Sequence, residues 1–344
     1  MIAPLLAVEL TYWQATTIKT LVVLSIIPAG AVILGYVFLL KMMADMQSRL
    51  GPMEPGGFHG WFQLIGDGLK FMQKEDIIPS QADRRVFALA PVIVLVSTFL
   101  IYVVIPAGPT LIVENLDVGI FYAMGVGSLS VVGILMAGWA SANKYSLLGA
   151  LRAAGQLIAY ELPLVLAVVG VVIQADTMSM QGIVNAQADG AIFGIDIIGN
   201  PFLFTQILGF VLFLAAAQAE LSQTPFDMPV AESELIAGYM TEYSGFRFLL
   251  FFMAEFGTAF ALAAIASTLY LGGWYQPFVH GTLADIVGPL VLAVKVMLVA
   301  FLIFWIRFTF PRFREDQLQT FAWKYLIPVS LLNIMLTGVF KVAF

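Results

Sequence analysis

The sequence predicts an all-α integral membrane protein with eight transmembrane helices and one in-plane amphipathic helix. Of its 344 residues, 60% are hydrophobic and only 11% are charged, against about 25% charged in an ordinary soluble domain. Long apolar runs recur along the chain, and a spanning helix needs about 20 mostly apolar residues. The runs lack the polar–apolar alternation of a membrane β-barrel. We therefore expect a single polytopic membrane domain over residues 1–344.

Each span is predicted where an apolar run is long enough to cross the hydrocarbon core. The eight spans lie near residues 21–40, 86–107, 118–140, 157–174, 201–219, 248–271, 286–306 and 325–339. Residues 1–14 contain Glu9 and no basic residue, which is not typical of a secretory signal.

Basic residues concentrate in every second loop, and the positive-inside rule uses this bias to orient the spans. Thirteen of the 16 Lys and Arg residues follow spans one, three, five and seven. The three loops between them, residues 106–117, 175–200 and 272–285, contain acidic residues but no Lys or Arg. The sequence therefore predicts a cell-membrane protein whose basic loops are cytoplasmic and whose two termini face the other side.

Composition excludes several kinds of chemistry. Without cysteine, the chain has no thiolate nucleophile and no Cys ligand for an iron–sulfur cluster. His59 and His280 lie far apart and outside any metal-binding motif, so no metal site is predicted. The net charge of −6 argues against nucleic acid as a partner. Any redox centre is therefore expected in another chain.

An amphipathic helix is predicted in the first basic loop. Apolar residues recur there at spacings of three and four, at Phe58, Trp61, Ile65, Leu69 and Met72. Charged residues fall mostly on other sides of the helix, which is typical of a helix lying in the headgroup plane. This helix is either a connector resting on the surface or the flank of an opening through which a lipid-soluble molecule leaves the bilayer.

Carboxylates concentrate in the third basic loop and in two neighbouring spans. Residues 218–247 contain Glu220, Asp227, Glu232, Glu234 and Glu242. Glu161 and Glu255 lie among apolar residues in spans four and six. An ionisable group inside the membrane costs at least about 2.5 kcal/mol and indicates a function. Because close carboxylates raise one another's pKa, the set could relay protons; alternatively, the loop acids are simply hydrated.

The spacing of these groups predicts which of them meet. On a continuous helix, Glu234 and Glu242 would address one side, whereas Glu232 and Glu234 would point apart. Glu255 is expected to link to Glu161, through water. In span seven, Lys295 stands alone among apolar residues. It either forms a buried ion pair with a carboxylate of a neighbouring helix or takes part in proton transfer.

Four segments carry a resemblance to a known family. They are GWASANKYSLLGALRAAGQLIAYE (138–161), TPFDMPVAESELIAGYMTEYSGFRFLLFFMAE (224–255), WIRFTFPRFREDQL (305–318) and MQSRLGP (46–52). Together they resemble the quinone-chamber membrane subunit of respiratory complex I, the proton-pumping NADH-quinone oxidoreductase.

The resemblance implies a subunit on which the peripheral arm docks from the cytoplasm. It implies a tunnel for quinone, such as ubiquinone, and a proton path towards antiporter-like membrane subunits, all surrounded by lipid. Flavin and iron–sulfur clusters are then expected in partner subunits, and none in this chain. The implied proton path is Glu161, Glu220, Glu232, Glu234, Glu242, Glu255 and Lys295; the implied quinone-binding residues are Gln47, Arg49, Asp67 and Asp227; the implied docking residues are Lys144, Arg152, Arg312 and Arg314.

The chain departs from the family's usual pattern at a few places. Leu39 and Leu40 replace charges near the quinone entrance, Val230 replaces an acid, and Glu315 stands where Tyr is usual. We therefore expect a more apolar entrance. Two other hypotheses stay open: a related membrane subunit of a hydrogenase or other-donor complex, and a free-standing ion transporter.

Overall fold

The computed structural model describes residues 12–190, 199–277 and 282–343, and these residues form helices and irregular loops without strands. Seven described segments are long and apolar enough to cross a membrane: Thr16–Met46, Arg84–Val104, Gly119–Ala140, Lys144–Ala175, Gly245–Tyr270, Leu283–Thr309 and Glu315–Ala343. The fifth predicted span is the shorter apolar helix Ile207–Glu220. The predicted all-α membrane class is confirmed.

The α-helices of the described residues are numbered here in chain order. They are α1 (Tyr12–Leu34), α2 (Gln63–Gln73), α3 (Arg84–Ile101), α4 (Gly119–Gly127), α5 (Leu129–Ala140), α6 (Lys144–Ala175), α7 (Met180–Ala188), α8 (Ile207–Glu220), α9 (Glu232–Leu235), α10 (Gly245–Tyr270), α11 (Thr282–Thr309), α12 (Glu315–Thr320) and α13 (Ile327–Ala343). Helix α1 continues through a π-helical stretch, Gly35–Met42, into a last α-helical turn, Met43–Met46. A second π-helical stretch, Phe321–Leu326, joins α12 to α13.

Some elements begin later, or are broken, where glycine intervenes. The amphipathic helix α2 begins at Gln63 rather than near Phe58, because Gly56, Gly57 and Gly60 adopt positive φ angles of 77°, 85° and 69°. The third span is divided at Ser128 into α4 and α5. The Ser128 hydroxyl donates to the Gly125 carbonyl at 2.8 Å, which satisfies one acceptor near the break.

The 32-residue helix α6 is central: it packs against α5, α8 and α13, while α10 packs against α1, α3 and α11. Small residues allow these helices to approach closely. A Cβ atom on Gly149 of α6 would lie 2.7 Å from the Gly238 Cα, so only glycine lets the third basic loop rest directly on α6. Large side chains such as Tyr160, Phe213 and Tyr270 fill the core.

Loops meet at two ends of the helical bundle. At one end, here called the basic face, the loops that follow spans one, three, five and seven come together; for example, Asp83 N–H donates to the Ala140 carbonyl at 3.1 Å. At the other end, the opposite face, Leu203 N–H donates to the Tyr270 carbonyl at 2.9 Å. This grouping is the one expected when successive spans cross the membrane in alternate directions.

Candidate functional site

The basic face encloses a main cavity with a volume of about 760 Å³. Five ionisable carboxyl and guanidinium side chains line it: Glu220, Asp227, Glu255, Arg307 and Arg312. The rest of the lining combines hydroxyl and amide groups, among them Ser130, Gln223 and Thr258, with apolar side chains of α3, α5, α6 and α10. A cavity of this size in which polar groups converge beside apolar walls can hold a small molecule.

Buried amides hold the loop that carries Asp227 against the helices. Gln156 Nε2, on α6, donates to the carbonyls of Ala219 and Phe226 at 2.8 Å each. Gln218 Nε2, near the end of α8, donates to the Thr224 carbonyl at 2.7 Å. These bonds satisfy backbone acceptors away from water. They fix the position of Asp227 in the cavity wall.

Glu255, on α10, pairs with Arg307 rather than with Glu161, the partner expected from the sequence. Its Oε1 accepts a hydrogen bond from Gln223 Nε2 at 3.3 Å and lies 3.5 Å from an Nη atom of Arg307. Glu161 is not among its described hydrogen-bond or ion-pair partners. Sequence reasoning counted Arg307 only as a basic loop residue. Its place in the last turn of α11 was the available signal that it could pair with an acid inside the bundle.

Glu220 links the main cavity to a smaller one. This side cavity, about 30 Å³ in volume, extends further along α10 and is lined by Glu161; the volume holds about two water molecules. Among the described residues, Ser130, Glu220 and Thr258 line both cavities. The Glu220 Oε2 atom is buried and accepts no hydrogen bond from the described part of the chain. Three of the predicted carboxylates, Glu255, Glu220 and Glu161, therefore follow one another along two adjoining cavities.

Glu234 lies between two arginines. Its Oε2 is 2.7 Å from Arg152 Nη1, and its Oε1 is 2.7 Å from Arg312 Nη2. The hydrogen bond from Arg152, helped by both guanidinium charges, holds the pKa of the Glu234 carboxyl below its ordinary value. The expectation that neighbouring loop acids raise one another's pKa is wrong at this residue. Arg152 also lies 3.6 Å from an oxygen of Glu315, so four charges join three basic loops; we call them the clamp.

The helical relation expected between Glu234 and Glu242 does not form. Helix α9 ends at Leu235, and Ile236 adopts a φ of 65°, which turns the chain away. Glu242 instead accepts a hydrogen bond from Asn143 Nδ2 at 2.5 Å. The predicted orientation of Glu232 opposite Glu234 stays a prediction, because the side chain of Glu232 lies outside the described part of the structure.

Tyr239 is a cavity residue that sequence reasoning missed. It lines the main cavity, and its ring packs edge-on against Phe251 at 5.5 Å. Burial, followed by the charges of Glu255 and Asp227, raises the pKa of the Tyr239 phenol. The phenol therefore stays protonated and keeps a hydrogen-bond donor in the cavity wall. No periodicity or charge marks this residue in the sequence.

The predicted quinone-binding residues of the first basic loop lie outside the described lining of the main cavity. Gln47 Oε1 accepts from Arg49 Nε at 2.7 Å, and Asp67 pairs with Lys70 at 3.4 Å on α2. Helix α2 itself packs against α10. Asp227 is the predicted quinone-binding residue that reaches the cavity.

The predicted docking residues divide between the clamp and the surface. Arg152 and Arg312 belong to the clamp, and Arg312 also lines the main cavity. Lys144 is exposed at the start of α6, and Arg314 is exposed and pairs with Asp316. Exposed charges of this kind remain available to another chain.

Lys295, in α11, is bound by carbonyl groups near the opposite face. Its Nζ donates to the carbonyls of Gly273 and Tyr275 at 2.8 and 2.9 Å. Within the described residues it forms no ion pair, so the predicted pairing with a carboxylate is not found there. Nor does that part of the chain contain three or more His, Asp or Glu grouped to hold a metal; His280 lies outside it.

Comparisons with known proteins agree with this architecture. The family model described as NADH dehydrogenase matches residues 18–338. The chain is 46% identical over 304 residues to a protein of Geobacillus kaustophilus, covering 88% of this chain and 87% of the relative. It is 44% identical over 322 residues to a protein of Anoxybacillus flavithermus, covering 93% and 92%. Both relatives are named as the same subunit of NADH-quinone oxidoreductase. With this match and these identities, the chain belongs to the NADH dehydrogenase family, as a membrane subunit of NADH-quinone oxidoreductase.

Proposed function

We propose that this membrane subunit of NADH-quinone oxidoreductase forms part of the wall of a quinone chamber and passes protons from that chamber into the membrane. The observation that carries the proposal is that the main and side cavities meet at one buried carboxylate, Glu220. The names of the relatives supply the reaction. They favour the quinone enzyme over a hydrogenase-type subunit or a free-standing transporter.

Reduction of a quinone to a quinol takes up two electrons and two protons. The chain contains no cysteine, so the electrons come from flavin and iron–sulfur clusters of partner subunits. Those subunits dock on the basic face, where Lys144 and Arg314 are exposed. This face is the cytoplasmic one, and both termini lie on the other side, because membrane proteins keep their basic loops in the cytoplasm.

The main cavity suits the polar headgroup of a quinone. The Tyr239 phenol remains a hydrogen-bond donor, and Arg312 supplies a fixed positive charge in the same wall. Either group can bond to a quinone oxygen as negative charge develops on it during reduction. Asp227 lines the same space and can accept a proton from the medium. Apolar wall residues match the rest of the ring.

Protons move inward along three carboxylates in the order Glu255, Glu220, Glu161. Glu255 exchanges its proton while Arg307 compensates its charge. Glu220 then receives a proton from the main cavity and releases one across the side cavity to Glu161. Antiporter-like membrane subunits are the partners beyond Glu161. Glu234 and Glu242 have other hydrogen-bond partners, and their contribution is to hold the loops.

The entrance for the quinone tail lies beside the amphipathic helix. Tyr36 stacks on Trp61 at 4.5 Å, which joins the end of the first span to the segment before α2. Lys41 Nζ donates to the Pro52 carbonyl at 2.5 Å and closes the loop that carries Gln47 and Arg49. A helix in the headgroup plane next to a span gives a lipid-soluble substrate a route from the bilayer.

The test replaces Glu161 by Gln, which keeps shape and hydrogen bonding but cannot release a proton. In assembled complexes, Glu161→Gln should lower NADH-dependent quinone reduction and proton uptake together, by at least about tenfold. Glu114→Gln is the matched control, since Glu114 is an exposed partner of Lys19 on the opposite face; it should keep full activity. Full coupled activity in an assembled Glu161→Gln complex would contradict the proposal.

A further inference from the structure

The partition between the two cavities contains two hydroxyl groups whose role is unassigned. Ser130 on α5 and Thr258 on α10 line both cavities, as does Glu220. Thr258 lies three residues after Glu255 on the same helix, one turn deeper in the membrane. The two hydroxyls therefore lie, together with Glu220, where the two cavities meet.

Most of the other residues that line the side cavity are apolar, such as Leu164 and Leu262. The hydroxyls of Ser97 and Ser128 line only that cavity and donate to the carbonyls of Gly127 and Gly125. A buried water needs two to four polar partners, and hydrocarbon supplies none. Apart from Glu220, the polar side chains that line both cavities in the described structure are Ser130 and Thr258.

The Thr258 hydroxyl is held from behind by a second threonine. Its Oγ1 lies 2.9 Å from Thr98 Oγ1, on α3, with either atom able to donate. Thr98 Oγ1 can also donate to the Val94 carbonyl at 3.1 Å. Each hydroxyl has one proton. When Thr98 donates to Val94, Thr258 donates to Thr98 and offers lone pairs to the cavity; when Thr98 donates to Thr258, the Thr258 proton faces the cavity.

Ser130 is the complementary group on the other wall. Its hydroxyl forms no hydrogen bond within the described part of the chain, and its side chain is only half-buried. It is thus free to bond a water in the partition. Ser130 on α5, Thr258 on α10 and Glu220 at the end of α8 together offer a water three polar partners from three helices.

We propose that Ser130 and Thr258 are positioning residues that hold the water through which Glu220 is protonated. This rests on the proposed function. The held water receives a proton on the Glu255 side and gives one to the Glu220 carboxylate, so one O–H bond forms for each that breaks and no electron moves. The Thr98–Thr258 pair can reverse its donor direction, so Thr258 can bond the water before and after the transfer.

The experiment compares Thr258→Val, which keeps the shape, with Thr258→Ser, which keeps the hydroxyl. Thr268→Val is the matched control, because Thr268 is buried on the same helix and lines neither cavity. In assembled complexes, Thr258→Val should lower the kcat of quinone reduction and proton uptake about five- to tenfold, the effect of one lost hydrogen bond. The KM for quinone should not change, and Thr258→Ser and Thr268→Val should remain near wild type.

Two outcomes would overturn this inference: full kcat in Thr258→Val, or an equal loss in Thr258→Ser. If Thr258→Val does not assemble, Ser130→Ala decides, since it removes one oxygen and should lower kcat in the same way. A Glu220→Gln complex distinguishes failure of the positioning role from failure of the proposed function. Activity lost in Glu220→Gln but kept in Thr258→Val contradicts only the positioning role. Activity kept in Glu220→Gln contradicts the proposed function itself.

Discussion

The two ends of the bundle are held together by different chemistry. At the basic face, ion pairs join the loops: Arg152 and Arg312 with Glu234, and Arg247 with Asp76 at 3.0 Å. At the opposite face, ion pairs such as Lys19 with Glu114 are exposed, and the buried contacts are made by neutral amides. Gln187, which is 1% exposed, donates to the Thr268 carbonyl at 2.9 Å and accepts from Phe202 N–H at 3.1 Å.

The main cavity lies at the end where charged side chains line the space between the loops. Charged side chains are costly to bury and stay near water, so loops tied by ion pairs leave hydrated space between them. Neutral groups that satisfy one another can be buried completely. Near the opposite face, Gln206 Nε2 donates to Thr337 Oγ1 at 2.7 Å, and Asn333 donates to Gln206 Oε1 at 3.0 Å. Under the proposed function, the basic face admits the substrate, whereas the opposite face closes the bundle.

The largest effect is expected from removing a buried hydrogen-bonding amide at the opposite face. Gln187→Leu removes a buried amide and leaves the Thr268 carbonyl and the Phe202 N–H without a partner. Each such group costs about 1–3 kcal/mol, so the variant should lose about 2–6 kcal/mol of stability, seen as a lower melting temperature of the solubilised protein. Gln181→Leu is the control, because the Gln181 side chain is half-buried and its bonds to Trp274 and Pro109 are longer, at 3.2 and 3.4 Å. Equal melting temperatures for wild type and Gln187→Leu would show that the amide does not close this end.

Variants of Lys295 test whether this residue near the opposite face also takes part in proton transfer. Its Nζ donates to the Gly273 and Tyr275 carbonyls. Arg keeps the donors but cannot be deprotonated, so Lys295→Arg should retain quinone reduction and proton uptake if the residue is a tether. Lys295→Met should destabilise the protein by about 1–3 kcal/mol. An assembled, stable Lys295→Arg complex without activity would instead place Lys295 in a proton path.

Variants of Leu40 test the proposed entry of quinone beside the first span. Leu40 lies in the π-helical stretch at the end of the first span, and it is half-buried. A charge there raises the desolvation cost for an apolar substrate, so Leu40→Arg should raise the quinone KM about two- to fivefold with little change in kcat. Leu40→Met, similar in volume and uncharged, should leave the KM unchanged. An unchanged KM for both short- and long-tailed quinones in Leu40→Arg would exclude Leu40 from the entrance.

The smallest effect is expected at the clamp, because Glu234 is exposed. Its pKa is lowered on folding, so its contribution is complete above the unfolded pKa of about 4.3 and is lost as the pH falls through the folded value. Exposed pairs contribute less than about 1 kcal/mol. The melting temperatures of wild type and Glu234→Gln should therefore differ slightly at pH 7 and converge as the pH falls through the lowered pKa of the folded Glu234 carboxyl. A difference that grows on acidification would contradict the ionised clamp.

Sequence reasoning succeeded where the signal is local. Apolar runs place the spans, because each helix must satisfy its backbone within the membrane. The clustering of Glu220 and Asp227 in one loop places the charged cavity at the correct end. What failed depends on residues far apart in the chain: Arg307 and Glu255 are 52 positions apart, and Arg152 and Glu234 are 82 apart. Helical periodicity relates residues of one helix, whereas these pairs join separate elements. The expected relation between Glu234 and Glu242 failed because α9 stops at Leu235.

The partition hydroxyls show the same limit. Thr258 is one of many threonines in apolar helices, and a threonine commonly bonds its own helix. Only the packing of α3 against α10 brings Thr98 to Thr258. The division of the third span at Ser128 is likewise a product of packing, although Gly125 and Gly127 mark a weak point in the helix.

A Glu220→Gln complex tests most directly the proposal that protons leave the main cavity through Glu220. The measurement is NADH-dependent quinone reduction and proton uptake in sealed vesicles, beside NADH oxidation by an artificial acceptor that takes electrons from the partner subunits. We expect both coupled activities to fall at least about tenfold, while oxidation by the artificial acceptor is unchanged. A fully assembled Glu220→Gln complex that reduces quinone and takes up protons at the wild-type rate would contradict the proposed proton route through Glu220.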